Sequence, residues 1–216
     1  MKRTSRRNFL GMAGSGAIAW SLGAAGNRET AFRPEENHTE TEKPVTHNGR
    51  KSVILLAHPD FKNSKANKAL VEAVKDMDGV TVTNLYEAPF TAETYRNLLS
   101  GAGSVVFQFP FYWASAPSQL KKWCDELFSG LTEQVKGVKL LVAVTTGSEY
   151  DAYRSGGRNR YTLDELLRPY QLLANHSGMV WQTPFAVYGA SLPTAAQSIA
   201  AGAVAYREKI EALANG

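Results

Sequence analysis

The chain has 216 residues, about the length of one domain, and 44% of them are apolar while 20% are charged. This composition excludes a disordered chain, a collagen and a coiled coil. A formal net charge of +4 first suggests an anionic partner such as nucleic acid. However, residues 1–26 contain four basic residues and no acid, which leaves 20 basic and 20 acidic residues in the remainder. The chain after residue 26 therefore has no net charge, and we expect no nucleic-acid binding.

The first residues have the composition of a targeting segment. A basic start is followed by an uncharged, glycine-rich and alanine-rich stretch that ends near Gly26. Within it, the string SRRNFL (Ser5–Leu10) resembles the twin-arginine export signal of bacteria. We therefore predict a twin-arginine signal peptide over residues 1–26 and a periplasmic location. The alternative is an uncleaved basic terminus before a short anchor helix, which would tether the protein to the membrane.

A polar linker and a single domain follow. Residues 27–50 are charged and interrupted by Pro34 and Pro44, so they are predicted to form a flexible linker to a domain at 51–216. Cys124 is the only cysteine, which excludes an internal disulfide and a cysteine-based metal site. No metal site is predicted.

Strand-like and helix-like segments alternate along this domain. Continuous apolar runs predict buried strands, and apolar residues spaced by three and four predict helices that pack on the sheet. In chain order we predict a strand at 52–58, a helix at 64–77, a strand at 80–86, a helix at 92–100, a strand at 104–110, a helix from 117, a strand at 139–147, a helix at 163–175, a strand at 180–189 and a helix at 194–214. This alternation predicts a doubly wound α/β fold.

Ligands of such folds bind beyond the carboxyl ends of the strands, so the loops there are the first place to look for a site. After the first strand, His58 stands at the strand end, and Ser64 and Asn67 open the next helix. Main-chain N–H groups at a helix N-terminus favour an anion, most naturally a phosphate. The alternative is an ordinary helix cap with a histidine that bonds only to the backbone.

The loops after the third and fourth strands indicate a flat ligand. Phe111, Tyr112 and Trp113 occur where βα loops usually hold small polar residues, although such rings can also simply cover a sheet. The loop at 145–159 supplies small hydroxyls and Gly147 for close approach of a backbone, and long loops of this kind are often functional. Together the three loops predict a planar cofactor that bears phosphate, and flavin fits best.

Four strings, which occur in this order, carry a resemblance to a known protein family: AHPDFKNSKANKALVEAV, VVFQFPFYWASAPSQLKKWCDELF, VAVTTGSEYDAYRSGG and LLRPYQLLANHSGMVWQTPFAVYG. From Ser52 to the C-terminus the chain resembles the flavodoxin-like NAD(P)H:quinone oxidoreductase family, and most closely the small ancillary subunits of glutathione-regulated potassium efflux systems. The resemblance implies a three-layer flavodoxin-like α/β fold, with a five-stranded parallel sheet in the order 2-1-3-4-5 and helices on both faces. It also implies a homodimer whose flavin pocket borders the second subunit.

The same resemblance implies the cofactor and the residues that hold it. FMN is expected, with FAD as the alternative, and NAD(P)H is the expected reductant for a quinone or related electrophile. The implied flavin contacts are His58, Ser64, Lys65, Ala66, Asn67, Pro110, Phe111, Tyr112, Trp113, Ala114, Thr145, Thr146, Gly147 and Ser148.

Two further residues have catalytic roles by resemblance. Tyr153 matches the family's active-site tyrosine, whose phenol can stabilise negative charge on the reduced ring. Asn159 stands where larger relatives have a histidine. Its amide donates a hydrogen bond but does not titrate, so the proton relay of those relatives is not carried over.

A second hypothesis is a flavin-bearing electron carrier, or a regulatory subunit with little turnover, that works with a membrane transport system or a redox partner. The reason for this hypothesis is the predicted export, since soluble NAD(P)H is expected to be scarce outside the cytoplasm. Signatures of other enzyme classes, G-x-S-x-G and the Walker phosphate loop, do not occur in the sequence.

Overall fold

The computed structural model describes residues 48–215. The predicted signal peptide over 1–26 and most of the predicted linker over 27–50 lie outside these residues. The first strand begins at Asn48, three residues before the predicted start of the domain. Within the described range, none of the helices is long and apolar enough to cross a membrane.

The strands form one parallel sheet. They are β1 (Asn48–Leu56), β2 (Val80–Asn84), β3 (Ala102–Pro110), β4 (Lys139–Thr145), β5 (Val180–Trp181) and β6 (Phe185–Val187). Their order is β2-β1-β3-β4-β5, and β6 also pairs with β4. The predicted order 2-1-3-4-5 is therefore confirmed.

The last position of the sheet differs from the prediction, because the single strand expected at 180–189 is two short strands. β5 pairs with the start of β4, and β6 pairs with its end. Between them lies Pro184, which has no N–H to donate to a neighbouring strand. The proline therefore interrupts the ladder while both halves remain beside β4.

Helices cover both faces of the sheet. They are α1 (Ala66–Val74), α2 (Ala92–Leu99), α3 (Ser118–Glu126), α4 (Thr132–Val135), α5 (Leu163–Leu166), α6 (Arg168–His176) and α7 (Ala195–Asn215). The helix predicted at 163–175 is thus two helices. Pro169 cannot donate to the carbonyl of Glu165, four residues earlier, so the chain restarts there as α6.

Alternating residues of the central strands fill two separate hydrophobic layers. On one face, Val53, Val105 and their neighbours pack with Tyr95 of α2 and Trp123 of α3. On the other face, Ile54 packs among residues of α1 and α7. A sheet covered on both faces explains the continuous apolar runs of β1, β3 and β4. It also leaves the carboxyl ends of these strands as the open edge.

Candidate cofactor site

A cavity of about 630 Å³ opens at the carboxyl ends of β1, β3 and β4. This volume is typical of sites for small molecules and cofactors, roughly 300–1,000 Å³. The three loops singled out in the sequence form its walls. Of the residues proposed there, only Ala114 and Asn159 are not part of the lining, which also includes Asp60, Asn63, Ala190 and Ser191.

His58 lies at the end of β1 and is almost fully buried, at 6% exposure. The main-chain N–H of Asp60 donates to its Nδ1 at 3.1 Å. Burial lowers the pKa of His58, while the nearby Asp60 carboxylate partly opposes this. The ring is therefore neutral at pH 7, and its hydrogen is on Nε2, which can donate to a ligand.

The N-terminus of α1 lies beside His58. The helix begins at Ala66, with Lys65 at the N-cap, and no cap residue side chain bonds to the first turn. Ser64, which the sequence suggested as the cap, has extended backbone and donates its N–H to Phe61 instead. The first-turn N–H groups have no acceptor within the helix. Lys65, Ala66 and Asn67 at this helix end all line the cavity, so this end suits an anion.

The loop after β3 makes a tight turn at the cavity mouth. Tyr112 and Ser115 exchange two main-chain hydrogen bonds, at 2.9 and 3.0 Å. The two residues between them, Trp113 and Ala114, have φ angles of 47° and 66°. Such angles are strained for residues other than glycine and often mark functional sites. The turn leaves the Trp113 side chain fully exposed at the mouth, and Ala114 is exposed and not part of the cavity lining.

The loop after β4 is held by the segment that follows β6. Thr146 donates its N–H to Val187 and accepts at its carbonyl from Ala190. A Cβ at Gly147 would lie 3.0 Å from Oγ of Ser191, so the backbone there is approached closely. Ala190 and Ser191 were missed in the sequence. The rule that places ligands beyond strand ends applies equally to the last strand and was the signal for them.

Tyr153 lies in a short 3-10 helix (Tyr150–Tyr153) and is 9% exposed. Its ring packs edge-on against Phe111 and is tilted against Tyr188. Burial raises its pKa, and this outweighs the opposing effects of hydrogen bonding to Ser148 and of the Arg158 charge. The phenol therefore keeps its proton at neutral pH. Tyr153 also borders a second cavity of about 350 Å³.

Arg158, and not Asn159, is the residue of this loop whose side chain bonds to a residue of the cavity lining. Its Nη2 donates to Oγ of Ser148 at 2.5 Å, and its Nη1 lies 3.9 Å from Oε1 of Glu149. Asn159 is exposed and donates its main-chain N–H to Ala152. No sequence signal distinguished the two neighbours, because the path of an irregular loop decides which side chain contacts Ser148.

Comparison with known proteins agrees with this geometry. The family model Flavodoxin_2, described as a flavodoxin-like fold, matches residues 50–210. The glutathione-regulated potassium-efflux system ancillary protein KefG of Pectobacterium atrosepticum is 37% identical over 150 residues, which is 65% of this chain and 82% of that protein.

Two solved structures are similar over most of the described domain. General stress protein 14 of Treponema denticola, in complex with FMN, is 30% identical, with a TM-score of 0.70 over 76% of this chain and 99% of that one. An NADPH-quinone reductase from P. pentosaceus is 29% identical, with a TM-score of 0.67 over 74% and 97% of the two chains. The chain therefore belongs to the Flavodoxin_2 family of flavodoxin-like proteins.

Proposed function

We propose that this protein is an FMN-dependent NAD(P)H oxidoreductase that reduces a quinone or a related electrophile. The observation that carries this proposal is one cavity that joins an anion-binding helix end, an aromatic turn and a hydroxyl-rich loop with a buried tyrosine. The FMN in the Treponema relative and the quinone reductase activity named for the P. pentosaceus relative support it. When bound, FMN would accept a hydride from the nicotinamide and deliver it to the acceptor.

The residues present fit FMN. Nε2–H of His58, the first-turn amides of α1 and the Lys65 ammonium are donors suited to a phosphate. Phe111 and Tyr112 supply apolar walls, and Gly147 adds backbone without a side chain to the lining.

Two residues beside this loop are suited to negative charge. The Tyr153 phenol holds a proton at its Oη, from which it can donate a hydrogen bond to an electron-rich ring or acceptor. The Arg158 guanidinium adds a permanent positive charge close to that phenol. A charge that does not titrate cannot relay a proton, so protons for the acceptor would come from Tyr153 or water.

The direct experiment combines cofactor identification with turnover. Purified protein should be yellow, release FMN on denaturation, and oxidise NADH or NADPH when a quinone is supplied. Released FAD would change the cofactor assignment. A colourless protein that cannot be reconstituted with either flavin contradicts the proposal.

A second candidate is a flavin-bearing electron carrier or regulatory subunit. The similarity to KefG, which is named as an ancillary protein of a potassium-efflux system, favours a membrane transport or redox partner. Flavin-loaded protein that shows no turnover with either nicotinamide, but accepts electrons from a chemical reductant, would support the carrier and contradict the reductase.

We also propose export by the twin-arginine route to the periplasm, or tethering there by an uncleaved N-terminal segment. The SRRNFL string at Ser5–Leu10 supports this proposal. Arg6→Lys combined with Arg7→Lys should hold the precursor in the cytoplasm of a bacterial host, whereas Lys2→Arg should not. Unchanged export of the double variant contradicts the assignment.

A homodimer is the third part of the proposal. Trp113 is fully exposed and Tyr112 is 46% exposed, both at the cavity mouth. Adjacent exposed aromatic rings are typical of surfaces that another chain covers. Sedimentation should give a dimer that Trp113→Ala weakens and that Leu172→Ala, at an exposed leucine of α6, leaves intact. A monomeric wild-type protein at micromolar concentration contradicts this part.

A further inference from the structure

Four buried polar side chains form a chain of hydrogen bonds beneath the cavity. Oη of Tyr206 in α7 donates to Oε1 of Gln108 in β3 at 3.0 Å. Nε2 of Gln108 contacts Asn67 in α1 twice, at 3.1 Å to the main-chain oxygen and at 3.3 Å to Oδ1. Nδ2 of Asn67 then donates to Oγ1 of Thr145 in β4 at 2.9 Å. All four residues are at most 5% exposed.

The donor-to-acceptor direction of these hydrogen bonds follows from one group, the main-chain oxygen of Asn67, which can only accept. The nitrogen of the Gln108 amide must therefore face this oxygen. The oxygen of the same amide then faces Tyr206, whose hydroxyl must donate. Burial raises the pKa of Tyr206, which keeps that phenol protonated.

The same reasoning fixes the last two members. Because Nε2 of Gln108 is a donor, the Asn67 atom that meets it must be the oxygen Oδ1. Nδ2 of Asn67 therefore faces Thr145 and donates to its hydroxyl oxygen. Every donor in the chain points the same way, from α7 towards the cavity, and hydrogen bonds aligned in this way strengthen one another.

The Thr145 hydroxyl accepts from Asn67, so its own hydrogen is left for another partner. In the part of the chain that the structure describes, this oxygen bonds to Asn67 alone, and Thr145 lines the cavity. We propose that Thr145 is a fixed hydrogen-bond donor to an acceptor atom of the bound flavin, and that Gln108 and Tyr206 are positioning residues that set this direction. The inference rests on the proposed function, since it assumes that a flavin occupies the cavity.

The donor is tested by two substitutions at one position. Thr145→Val keeps the side-chain shape but removes the hydroxyl, and Thr145→Ser keeps the hydroxyl. Flavin fluorescence titration should give an FMN dissociation constant about five- to tenfold higher for the valine variant, the effect of one hydrogen bond. The serine variant should stay within about twofold of wild type. Equal affinities of the valine and serine variants overturn the donor role.

Riboflavin, which lacks the phosphate, locates the acceptor. If Thr145→Val weakens riboflavin and FMN by the same factor, the acceptor is on the ring or the ribityl chain. If it weakens FMN alone, the acceptor is a phosphate oxygen. Both results support a donor at Thr145. A wild-type protein that binds no flavin contradicts the proposed function itself, which separates that failure from a failure of the donor role.

The positioning role of Gln108 is tested by coupling. Gln108→Leu should weaken FMN binding several-fold in the wild-type background and add little in the Thr145→Val background. Tyr206→Phe, which removes a single hydroxyl, repeats this cycle with less disturbance of the core. A merely structural role would lower affinity equally in both backgrounds, and such additivity overturns the positioning role.

Gln108→Glu should make the affinity for FMN depend on pH. Burial favours the neutral form of the introduced carboxyl, which keeps one donor for Asn67 and one acceptor for Tyr206, one donor fewer than the amide. FMN affinity of this variant should approach that of wild type at low pH and fall as the carboxyl ionises with rising pH, whereas the affinity of Gln108→Leu should be low throughout. Affinity of Gln108→Glu that follows the wild-type pH profile overturns the assignment.

Discussion

The main-chain N–H of Asp60 donates to Nδ1 of His58, and this bond decides which imidazole nitrogen can donate to a ligand in the cavity. With Nδ1 acting as an acceptor, the hydrogen of the neutral ring is on Nε2. His58 is thus a hydrogen-bond donor next to the N-terminus of α1, and the two together form the part of the site that suits a phosphate.

His58→Ala should weaken FMN binding roughly 10- to 100-fold, because a hydrogen bond to a charged group contributes about 1.5–3 kcal/mol. His58→Gln, which retains a donor nitrogen, should recover part of this affinity. Riboflavin binding should change little in either variant because that ligand has no phosphate. Equal losses for riboflavin and FMN would show that His58 acts on another part of the ligand.

The lowered pKa of His58 predicts a loss of stability in acid. The ordinary value is 6.5, and the folded protein binds this proton less readily than the unfolded chain does. Stability therefore rises with pH across the interval between the two values, and the contribution is lost as pH falls below 6.5 towards the folded-state pKa. Urea unfolding of flavin-free protein should show this fall relative to His58→Gln. Parallel pH profiles of the two proteins would contradict the assignment.

Gly157 is required by the backbone that passes it. A Cβ there would lie 2.1 Å from the carbonyl oxygen of Asp151, whereas a Cβ at Gly156 would meet nothing within 4 Å. We expect Gly157→Ala to lower the free energy of unfolding by about 1–3 kcal/mol and to reduce turnover, since the same loop holds Tyr153. Gly156→Ala should change stability by less than about 0.5 kcal/mol. Similar unfolding midpoints for both variants would refute the steric argument.

Arg158→Gln should reduce turnover roughly three- to tenfold with little change in FMN affinity, because it removes a partly exposed positive charge near Tyr153. Asn159→Ala should leave both quantities nearly unchanged, because this side chain is exposed and lacks the contact with Ser148 that Arg158 makes. Steady-state kinetics with matched flavin loading measures the difference. A larger loss of turnover in Asn159→Ala than in Arg158→Gln would restore the role suggested by resemblance.

Ala114→Gly should stabilise the flavin-free protein by about 0.5–1 kcal/mol, because Ala114 has a positive φ that glycine adopts without strain. Ala116→Gly is the control, since Ala116 has no positive φ, and glycine there adds flexibility to the unfolded chain and removes a methyl group that packs against the core. Thermal unfolding should therefore shift upwards for the first variant and downwards for the second. A downward shift for both would show that the turn is not strained at Ala114.

The alternation of strands and helices could be predicted because it depends on local periodicity, whereas the strand order was implied only by the family resemblance. Pro169 and Pro184, where the predicted helix and strand are interrupted, are visible in the sequence. Whether a proline ends an element or is tolerated depends on the neighbouring strand or helix turn that its missing N–H would have bonded to. The three cofactor loops could be found for a related reason, since the ends of parallel strands meet at one edge whatever their loops contain.

By itself, the sequence determined that the excess charge lies in residues 1–26, that a neutral α/β domain follows, and which loops meet at its open edge. Only the tertiary structure decided that Arg158 turns towards Ser148 while Asn159 does not, and that Gln108 joins Asn67 to Tyr206. These relationships connect residues of separate elements or depend on the path of an irregular loop. The direction of a side chain there depends on packing between elements, which no local pattern of residues encodes.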